Sequence, residues 1–328
     1  MRLVINAQRL QPEHLASIRR VAPDLEIVET NSSEQLLVEL PQADILLGWN
    51  RDLSPEMWNR LPKLRWVHVF SAGVEGLMSP EFKKSGVILS NSRGAHGIPI
   101  AEHVMAMLLS WERNLGGYAR SQAAHHWERL PSREIYGQTL GILGLGGIGR
   151  QVAVRAKGFG LCVVGLRRSA GSAGAEDGGG AGAGDANYVD AVFGPEQLHQ
   201  FLAGLDYLVI SAPLTSATRG MIGAAELAAM KKDAILINIA RGPIVDETAL
   251  VAALQGGRLR AALLDVFAKE PLPADSPLWD MPNVLISPHS SANSHRTVDR
   301  GMEIFLENLR HLREGKPLTA VVDPDLGY

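Results

Sequence analysis

The chain has 328 residues, of which 46% are hydrophobic and 20% charged, and its formal net charge is −3. This length exceeds what one hydrophobic core usually supports, so we expect two domains. The near-neutral charge gives no electrostatic reason to expect nucleic acid or an anionic membrane as a partner. No apolar run reaches the length of a membrane span, and the N-terminus is too polar for a secretory signal. The single cysteine, Cys162, cannot form an internal disulfide, so we predict a cytoplasmic protein.

Short apolar runs alternate with amphipathic segments over the first hundred residues. Strands are predicted at 3–5, 25–28, 45–49, 66–70 and 87–89, with helices at 14–20, 33–40 and 55–60. A long apolar helix is predicted to begin near Ile98 and run towards Trp111, because Pro99 is tolerated in a first helical turn. Alternation of this kind is typical of a parallel sheet that is covered by helices on both faces.

A second alternation begins near Thr139. Strands are predicted at 140–143, 161–164, 207–211, 234–239, 261–266 and 284–286, with helices at 148–159, 224–230, 247–255 and 296–313. The segment 169–186 consists almost entirely of glycine, alanine and serine, and it cannot bury a core. We therefore predict a mobile surface loop there.

A glycine-rich motif follows the strand predicted at 140–143 and opens the next helix. It reads Gly144, Leu145, Gly146, Gly147, Ile148, Gly149. In a dinucleotide-binding turn the first glycine permits the turn and the second lets the backbone approach the pyrophosphate. The third allows the helix to pack closely on the strand. The alternative is a glycine-rich turn without a ligand, but the strand–turn–helix setting favours the dinucleotide.

The residues after the next strand bear on the choice of cofactor. An acidic residue about 20 positions beyond the glycines would bind the ribose 2′-hydroxyl of NAD. Arg167, Arg168 and Ser169 stand there instead, with no carboxylate. Because a guanidinium is well suited to bind phosphate, we favour NADP over NAD, although these arginines would otherwise be ordinary surface residues.

Polar residues with catalytic potential follow three further predicted strands. The segments read INIARGPIVD at 237–246, LLDVFAKEPL at 263–272 and ISPHS at 286–290. In open α/β sheets ligands bind beyond the carboxyl ends of the strands, so these segments can meet at one crevice.

Taken together, these motifs closely resemble the D-isomer-specific 2-hydroxyacid dehydrogenases. The resemblance extends over the chain and includes FSAGVE at 70–75, IAEH at 100–103, SAPLT at 211–215 and TRG at 218–220. It implies an α/β fold of two Rossmann-like domains, each a doubly wound parallel sheet. The substrate domain, flavodoxin-like, would comprise 1–97 and 291–328, and the dinucleotide-binding domain, 98–290, would be inserted into it. A homodimer is also implied. No regulatory domain is expected after Tyr328.

The resemblance assigns the catalytic roles to residues that suit the chemistry. Arg241 matches the arginine that holds the substrate carboxylate and carbonyl oxygen, because its planar fork binds both while remaining charged. His289 matches the general acid in reduction and the base in oxidation. Glu270 matches the carboxylate that pairs with this histidine, fixing its tautomer and stabilising its charged form. The backbone N–H groups of Ala72 and Gly73 resemble the loop that receives the substrate carboxylate.

Further cofactor contacts are implied by the same resemblance. Asp265 matches the residue that holds the nicotinamide carboxamide. The other expected contacts are Ala212, Pro213, Thr218, Ile239, Ala240, Arg241 and His289. Each of these residues has an ordinary structural alternative, such as a surface ion pair or a loop cap, and the joint pattern favours the functional interpretation.

Other histidines carry weaker signals. His125 and His126 are adjacent, so they do not share a helix face, and no cysteine or carboxylate completes a site; we predict no metal. His103 lies on the apolar helix and is interpreted as structural, whereas His96 could line the cleft between the domains.

The sequence thus predicts an enzyme that acts on the CH–OH group of donors. It would transfer hydride between NAD(P)H and a small 2-keto acid, such as glyoxylate or hydroxypyruvate. One alternative is a dehydrogenase of the same fold that oxidises formate or a phosphonate. Another, from a different class, is a cofactor-sensing binding protein like the corepressors that share this fold.

Overall fold

The computed structural model describes residues 1–7, 10–48, 55–168 and 188–324. These residues form two compact units. Unit 1 comprises Met1–His96 and Ser294–Tyr328, and unit 2 comprises Gly97–Asn293. The predicted mobile loop at 169–186 and the expected cofactor contact Ser169 lie outside the described residues. Among the described residues, no helix combines the length and the apolar character that a membrane crossing requires.

Unit 1 is built on a five-stranded parallel sheet in the order β2-β1-β3-β4-β5. The strands are β1 (Arg2–Ile5), β2 (Glu26–Glu29), β3 (Ile45–Leu47), β4 (Trp66–Val69) and β5 (Ile88–Asn91). The helices are α1 (Pro12–Val21), α2 (Ser33–Glu39), α3 (Pro80–Ser85) and, from the C-terminal segment, α10 (Thr297–Glu314). β4 is buried along its whole length because helices cover both faces of the sheet.

Unit 2 is built on a seven-stranded parallel sheet in the order β12-β11-β10-β9-β6-β7-β8. Its strands are β6 (Thr139–Leu143), β7 (Cys162–Leu166), β8 (Ala191–Phe193), β9 (Tyr207–Ile210), β10 (Ile235–Asn238), β11 (Ala261–Leu264) and β12 (Val284–Ile286). Its helices are α4 (Gly97–Glu112), α5 (Leu115–Ala123), α6 (Gly147–Gly158), α7 (Leu198–Ala203), α8 (Ala224–Ala229) and α9 (Glu247–Gln255). The predicted α/β fold with parallel sheets is confirmed.

Several local predictions differ from the structure. The helix predicted at 55–60 is a 3-10 helix, Pro55–Arg60. The strand predicted at 45–49 ends at Leu47, and Trp49 lies outside the described residues. The short elements α3, α5, α7 and β8 were not predicted, because their few residues show no clear apolar periodicity.

Buried polar side chains hold each unit together from within. In unit 2 the carboxylate of Glu112, 3% exposed, accepts both arms of the Arg260 guanidinium at 2.8 and 2.5 Å and the hydroxyl of Tyr207 at 2.8 Å. Burial, and then the bond to Glu112, raises the pKa of Tyr207 well above its ordinary value. In unit 1 the fully buried His68 lies between the hydroxyls of Ser90 and Ser92, at 2.8 and 3.2 Å. Burial lowers the pKa of His68 from 6.5 to about 3, so this imidazole is neutral in the folded protein.

Candidate active site

The glycine turn joins β6 to α6, as predicted. Gly144 has a φ of 102°, and a Cβ there would lie 2.7 Å from the backbone nitrogen of Ala212. A Cβ on Gly149 would lie 2.1 Å from the carbonyl oxygen of Gly144, so only glycine lets the helix approach the turn this closely. The hydroxyl of Ser211 donates to the same oxygen at 2.7 Å and ties the turn to the end of β9.

The middle of the turn is open, which is what a diphosphate requires. A Cβ added to Gly146 or Gly147 would meet nothing within 4 Å. Gly146 is the N-cap residue of α6, and no side chain caps this helix. The first N–H groups of α6 therefore have no side-chain acceptor and can bind an anion. The geometry fits the phosphates of a dinucleotide.

The two remaining members of the motif face the protein interior. Leu145 is 5% exposed, and a Cβ on Gly165 would come 2.2 Å from its side chain, so it packs over β7. Ile148 packs against the same apolar cluster. Any contact that Leu145 makes with a cofactor must therefore come mainly from its backbone.

Arg167 and Arg168 directly follow β7, the strand next to β6 in the sheet. The backbone N–H of Arg167 donates to the carbonyl of Phe193 at 3.1 Å, which extends the strand pairing by one residue. Arg167 is half-buried and Arg168 is exposed. No carboxylate occupies positions 165–168, the described part of the segment where an acidic residue was sought.

The end of β9 carries the next expected contacts. Ala212 is 8% exposed, whereas Pro213 is exposed. The hydroxyl of Thr218 donates to the carbonyl of Pro213 at 2.6 Å and accepts the N–H of Thr215 at 2.8 Å. Thr218 thus closes this loop on itself beside the glycine turn.

The end of β10 presents Arg241. The Asn238 amide, 1% exposed, accepts the N–H of Ala240 and donates to the carbonyl of Arg241, both at 3.1 Å. Asn238 therefore fixes the loop that contains Ile239 and Ala240, and Arg241 leaves it half-buried, with Nη1 bonded to the Ala240 carbonyl at 2.7 Å. A Cβ on Gly242 would lie 1.9 Å from the carbonyl carbon of Phe267, so the Arg241 loop packs directly on the segment that leads to Glu270.

Asp265, at the end of β11, is fully buried and holds the loop that carries His289. Its carboxylate accepts the hydroxyl of Ser287 at 2.5 Å and the N–H groups of Ser290 and Ser291 at 2.9 and 3.0 Å. The carbonyl of Asp265 accepts the N–H of His289 at 2.8 Å. Asp265 thus has the loop-holding role that was the structural alternative for it, while its contact with nicotinamide stays a prediction.

His289 and Glu270 form a direct pair. Nδ1 of His289 lies 2.6 Å from Oε2 of Glu270, and the two side chains are 47% and 35% exposed. The other carboxylate oxygen, Oε1, accepts the N–H of Phe267 at 3.0 Å, which orients Glu270. His289 has a φ of 49°, a left-handed conformation that costs energy in a non-glycine residue and is held here by its backbone bonds to Asp265 and Ser287.

The loop at Ala72 and Gly73, which is expected to bind the substrate carboxylate and is called the carboxylate loop below, belongs to unit 1. It follows β4, and the amide of Asn91 donates to the carbonyl of Ala72 at 2.7 Å while the hydroxyl of Ser71 donates to the carbonyl of Gly73 at 2.8 Å. No hydrogen bond among the described residues uses the N–H of Ala72 or Gly73. Both N–H groups are thus available to an external acceptor.

All the expected residues of unit 2 follow the carboxyl ends of parallel strands, so they share one edge of the sheet. A polar pocket at the strand starts is lined by Arg133, Gln138, Asp206, Asp233 and Arg260, and it lies at the opposite edge. Over the described ranges no group of three or more histidine, cysteine or carboxylate side chains is arranged to hold a metal ion.

Sequence reasoning missed three supporting residues. Asn238 was detectable as a polar residue that ends an otherwise apolar strand. Asn91 gave the same signal at the end of β5. Ser287 gave none, because its role depends on tertiary contacts: its hydroxyl also lies 2.9 Å from Nε2 of His103 on α4.

Known proteins are similar to this chain in sequence and in fold. Residues 105–291 match the family model described as D-isomer specific 2-hydroxyacid dehydrogenase, NAD binding domain. The chain is 34% identical over 307 residues to glyoxylate/hydroxypyruvate reductase B of Yersinia enterocolitica, covering 91% of this chain and 90% of the relative. It is 32% identical to D-3-phosphoglycerate dehydrogenase of Methanocaldococcus jannaschii over 92% of this chain, but it spans only 55% of that relative's length.

A solved structure shows the same architecture. The D-isomer specific 2-hydroxyacid dehydrogenase from Xanthobacter autotrophicus, crystallised with NADPH and MES, is similar to this chain with a TM-score of 0.80. The two are 30% identical, and the likeness covers 99% of each chain.

Proposed function

The chain belongs to the D-isomer-specific 2-hydroxyacid dehydrogenase family, and from that premise we propose that it reduces small 2-keto acids to D-2-hydroxy acids with NADPH. Glyoxylate and hydroxypyruvate, the acids in the name of the Yersinia relative, are the first substrates to test. The observation that carries the proposal is the His289–Glu270 pair at 2.6 Å, on the same sheet edge as the open glycine turn.

The chain's own residues supply the acid–base chemistry. Because Nδ1 of His289 is bonded to Glu270, Nε2 is the nitrogen left to donate a proton to the carbonyl oxygen of the keto acid. Glu270 stabilises the protonated imidazole and fixes its orientation. In the oxidative direction the neutral imidazole accepts the hydroxyl proton at the same atom.

Arg241 is the proposed anchor for the substrate carboxylate. The loop around Asn238 holds its backbone, and a guanidinium binds a carboxylate through two parallel hydrogen bonds. The N–H groups of Ala72 and Gly73 are proposed as further substrate contacts, as the family resemblance implies. Anchoring at fixed donors turns the reaction into an effectively unimolecular step.

The dinucleotide, when bound, supplies the hydride. We assign its diphosphate to the N-terminus of α6 above Gly146 and Gly147, where the backbone is open and uncapped. The 2′-phosphate is assigned to Arg167 and Arg168, because no described carboxylate between 165 and 168 would repel it. The NADPH bound to the Xanthobacter structure supports this choice of cofactor.

The experiment that tests the proposal is an initial-rate assay of purified protein with a panel of 2-keto acids and both reduced cofactors. We expect reduction of at least one small 2-keto acid, with a higher kcat/KM for NADPH than for NADH. Chiral analysis of the product should give the D-hydroxy acid. If no keto acid is reduced with either cofactor, the proposal fails.

We further propose that the protein is a homodimer formed through unit 2. Trp127 is 98% exposed and Tyr136 is 77% exposed, on the segment that follows α5. This segment is held in place, because the hydroxyl of Tyr118 bonds both the N–H and the carbonyl of Leu130 at 3.2 Å. Exposed aromatic side chains on a segment held in this way are typical of an interface.

Sedimentation equilibrium tests the dimer. Trp127→Asp should shift the protein towards monomer, whereas Trp279→Asp, at an exposed tryptophan elsewhere in unit 2, should not. A wild-type protein that sediments as a monomer would contradict the proposal.

The cytoplasm is the proposed compartment. Cys162 is the chain's single cysteine, and it has no partner for an internal disulfide. Burial, and then the bond to Asp190, raises the pKa of its thiol, which lowers its reactivity. A reduced thiol of this kind suits a reducing compartment.

A further inference from the structure

The turn after β5, residues 92–96, is joined directly to the proposed carboxylate loop within unit 1. The amide of Asn91 bridges the two: it donates to the carbonyl of Ala72 at 2.7 Å and accepts the N–H of Arg93 at 3.2 Å. The N–H of Ser92 donates to the carbonyl of Ser71 at 3.3 Å. Whatever the carboxylate loop binds therefore lies close to this turn.

Helix α10 approaches the same region from the C-terminal segment. A Cβ on Gly301 would lie 2.7 Å from the ring of Phe70 and 2.9 Å from the hydroxyl of Ser92. Phe70 immediately precedes the carboxylate loop. Because Gly301 packs against Phe70, the neighbouring residue Arg300 lies near that loop. Arg300 is also close enough to His96 to lower the pKa of that imidazole further, after burial, which is the larger cause.

Three basic side chains of this region have a buried nitrogen with no hydrogen-bond partner. They are Nε of Arg93, Nδ1 of His96 and Nη1 of Arg300. His96 as a whole is only 8% exposed. Burying a donor or acceptor without a hydrogen-bond partner is costly, so three such atoms on neighbouring segments require an explanation.

The charges of the two arginines are also uncompensated. Over the described residues, neither guanidinium forms an ion pair with a carboxylate. The nearest acidic residue in sequence, Asp299, is bonded instead to His14 at 3.0 Å. Two other partly buried guanidiniums of the protein are paired with carboxylates, Arg260 with Glu112 and Arg2 with Glu39.

We propose that Arg93, His96 and Arg300 form a second anion subsite beside the Ala72–Gly73 loop. It would bind an anionic group at the end of the substrate remote from the 2-carbonyl. The inference rests on the proposed function: the loop takes the 1-carboxylate, and the cluster selects 2-keto acids that carry a further carboxylate or phosphate. A guanidinium recognises either group through paired N–H donors.

Matched pairs of substrates test the selection. Oxaloacetate is compared with 2-oxobutyrate, which has the same chain length without the second charge. Phosphohydroxypyruvate is compared with hydroxypyruvate, so that the two pairs separate a carboxylate from a phosphate. We expect kcat/KM to be about ten-fold or more higher for the anionic member of at least one pair, which is the ratio that one charged hydrogen bond supplies.

Variants connect that preference to the cluster. Arg93→Met and Arg300→Met should each lower kcat/KM for the preferred anionic acid by about ten-fold or more, with less than about two-fold change for its neutral counterpart. Arg300→Lys should retain part of the preference because the charge remains. Arg310→Met, at an exposed arginine on α10, is the control. It should leave kcat/KM unchanged for both the anionic acid and its neutral counterpart.

The outcomes distinguish failure of the anion subsite from failure of the proposed dehydrogenase function. Equal rates within both pairs, or equal losses on both members in the variants, overturn the subsite and leave the dehydrogenase proposal standing. If no keto acid is reduced, the proposed function fails, and thermal unfolding with malonate or inorganic phosphate decides the subsite. Stabilisation of the wild type that is lost in Arg300→Met supports it. The absence of stabilisation, or the same stabilisation in both proteins, overturns it.

Discussion

Nδ1 of His289 lies 2.6 Å from Oε2 of Glu270, and this contact determines which ring nitrogen is available for catalysis. The pair is fixed from both sides. Glu270 is oriented by the N–H of Phe267, and the loop of His289 is held by the buried carboxylate of Asp265. A general acid needs this kind of restraint because proton transfer depends on orientation.

Removing the charge of Glu270 should impair turnover without removing the cofactor. Glu270→Gln keeps the shape of the side chain but no longer stabilises a protonated His289, so kcat should fall by about ten-fold to a hundred-fold. Dinucleotide affinity, measured by fluorescence titration, should change by less than about two-fold. Glu196→Gln, at an exposed position of the same unit, is the control. An unchanged kcat would remove Glu270 from its proposed role.

Because the space above the glycine turn is open, a substitution there can weaken cofactor binding without destabilising the fold. Gly146→Ala adds a methyl group where nothing lies within 4 Å, so the free protein should unfold at nearly the wild-type temperature. If a diphosphate occupies that space, the Kd for NADPH should rise by about ten-fold or more, because the backbone can no longer approach it. Gly158→Ala, equally unobstructed at the other end of α6, should leave the Kd unchanged. Equal affinities for all three proteins would contradict the assigned position of the diphosphate.

The cofactor preference should depend on the two arginines after β7. Arg167→Ala combined with Arg168→Ala removes the charges proposed to bind the 2′-phosphate. KM for NADPH should then rise by about ten-fold or more, while KM for NADH changes little. Arg129→Ala, at an exposed arginine of the same unit, tests for a general effect of lost charge. Equal increases in KM for NADPH and NADH would contradict the assignment of the 2′-phosphate to these arginines.

The fully buried strands were predictable because a parallel sheet that is covered on both faces leaves nearly continuous apolar runs in the sequence. β9 and β11, buried at every position, are examples. β8 was missed for the opposite reason: in Ala191–Phe193 the first residue is exposed and the other two are only partly buried, and the strand follows a segment of glycine and alanine. The helix predicted at 55–60 became a 3-10 helix, a difference in hydrogen bonding that apolar periodicity does not reveal.

The site was predictable as far as its residues follow strand ends. Arg241 follows the buried strand β10 and His289 follows the partly buried strand β12, each a few residues past the strand's end, and the motif around them is specific. The residues that hold these side chains in place were not predictable in the same way. Asp265 was assigned to the cofactor with a loop cap as the alternative, and only the folded chain reveals that its carboxylate bonds Ser287, Ser290 and Ser291.

Acid should destabilise unit 1 through His68. In the unfolded chain this residue binds a proton below about pH 6.5, whereas in the folded protein burial lowers its pKa to about 3. The unfolded state therefore binds more protons between these values, and stability falls as the pH drops through this window. Chemical unfolding should show that wild type loses about 2 kcal/mol more than His68→Gln between about pH 7 and about pH 5. His295→Gln, at an exposed histidine of the same unit, should follow wild type; identical losses in wild type and His68→Gln would contradict the account.

The central claim is that this protein is a dehydrogenase whose proton donor is His289. Its most direct test is the kcat of His289→Ala with the best 2-keto acid, measured beside the Kd for NADPH. His199→Ala, at an exposed histidine paired with Glu226, serves as the control. We predict that kcat falls by about a hundred-fold or more in His289→Ala while the Kd for NADPH stays within about two-fold of wild type. Full activity in His289→Ala would contradict the claim.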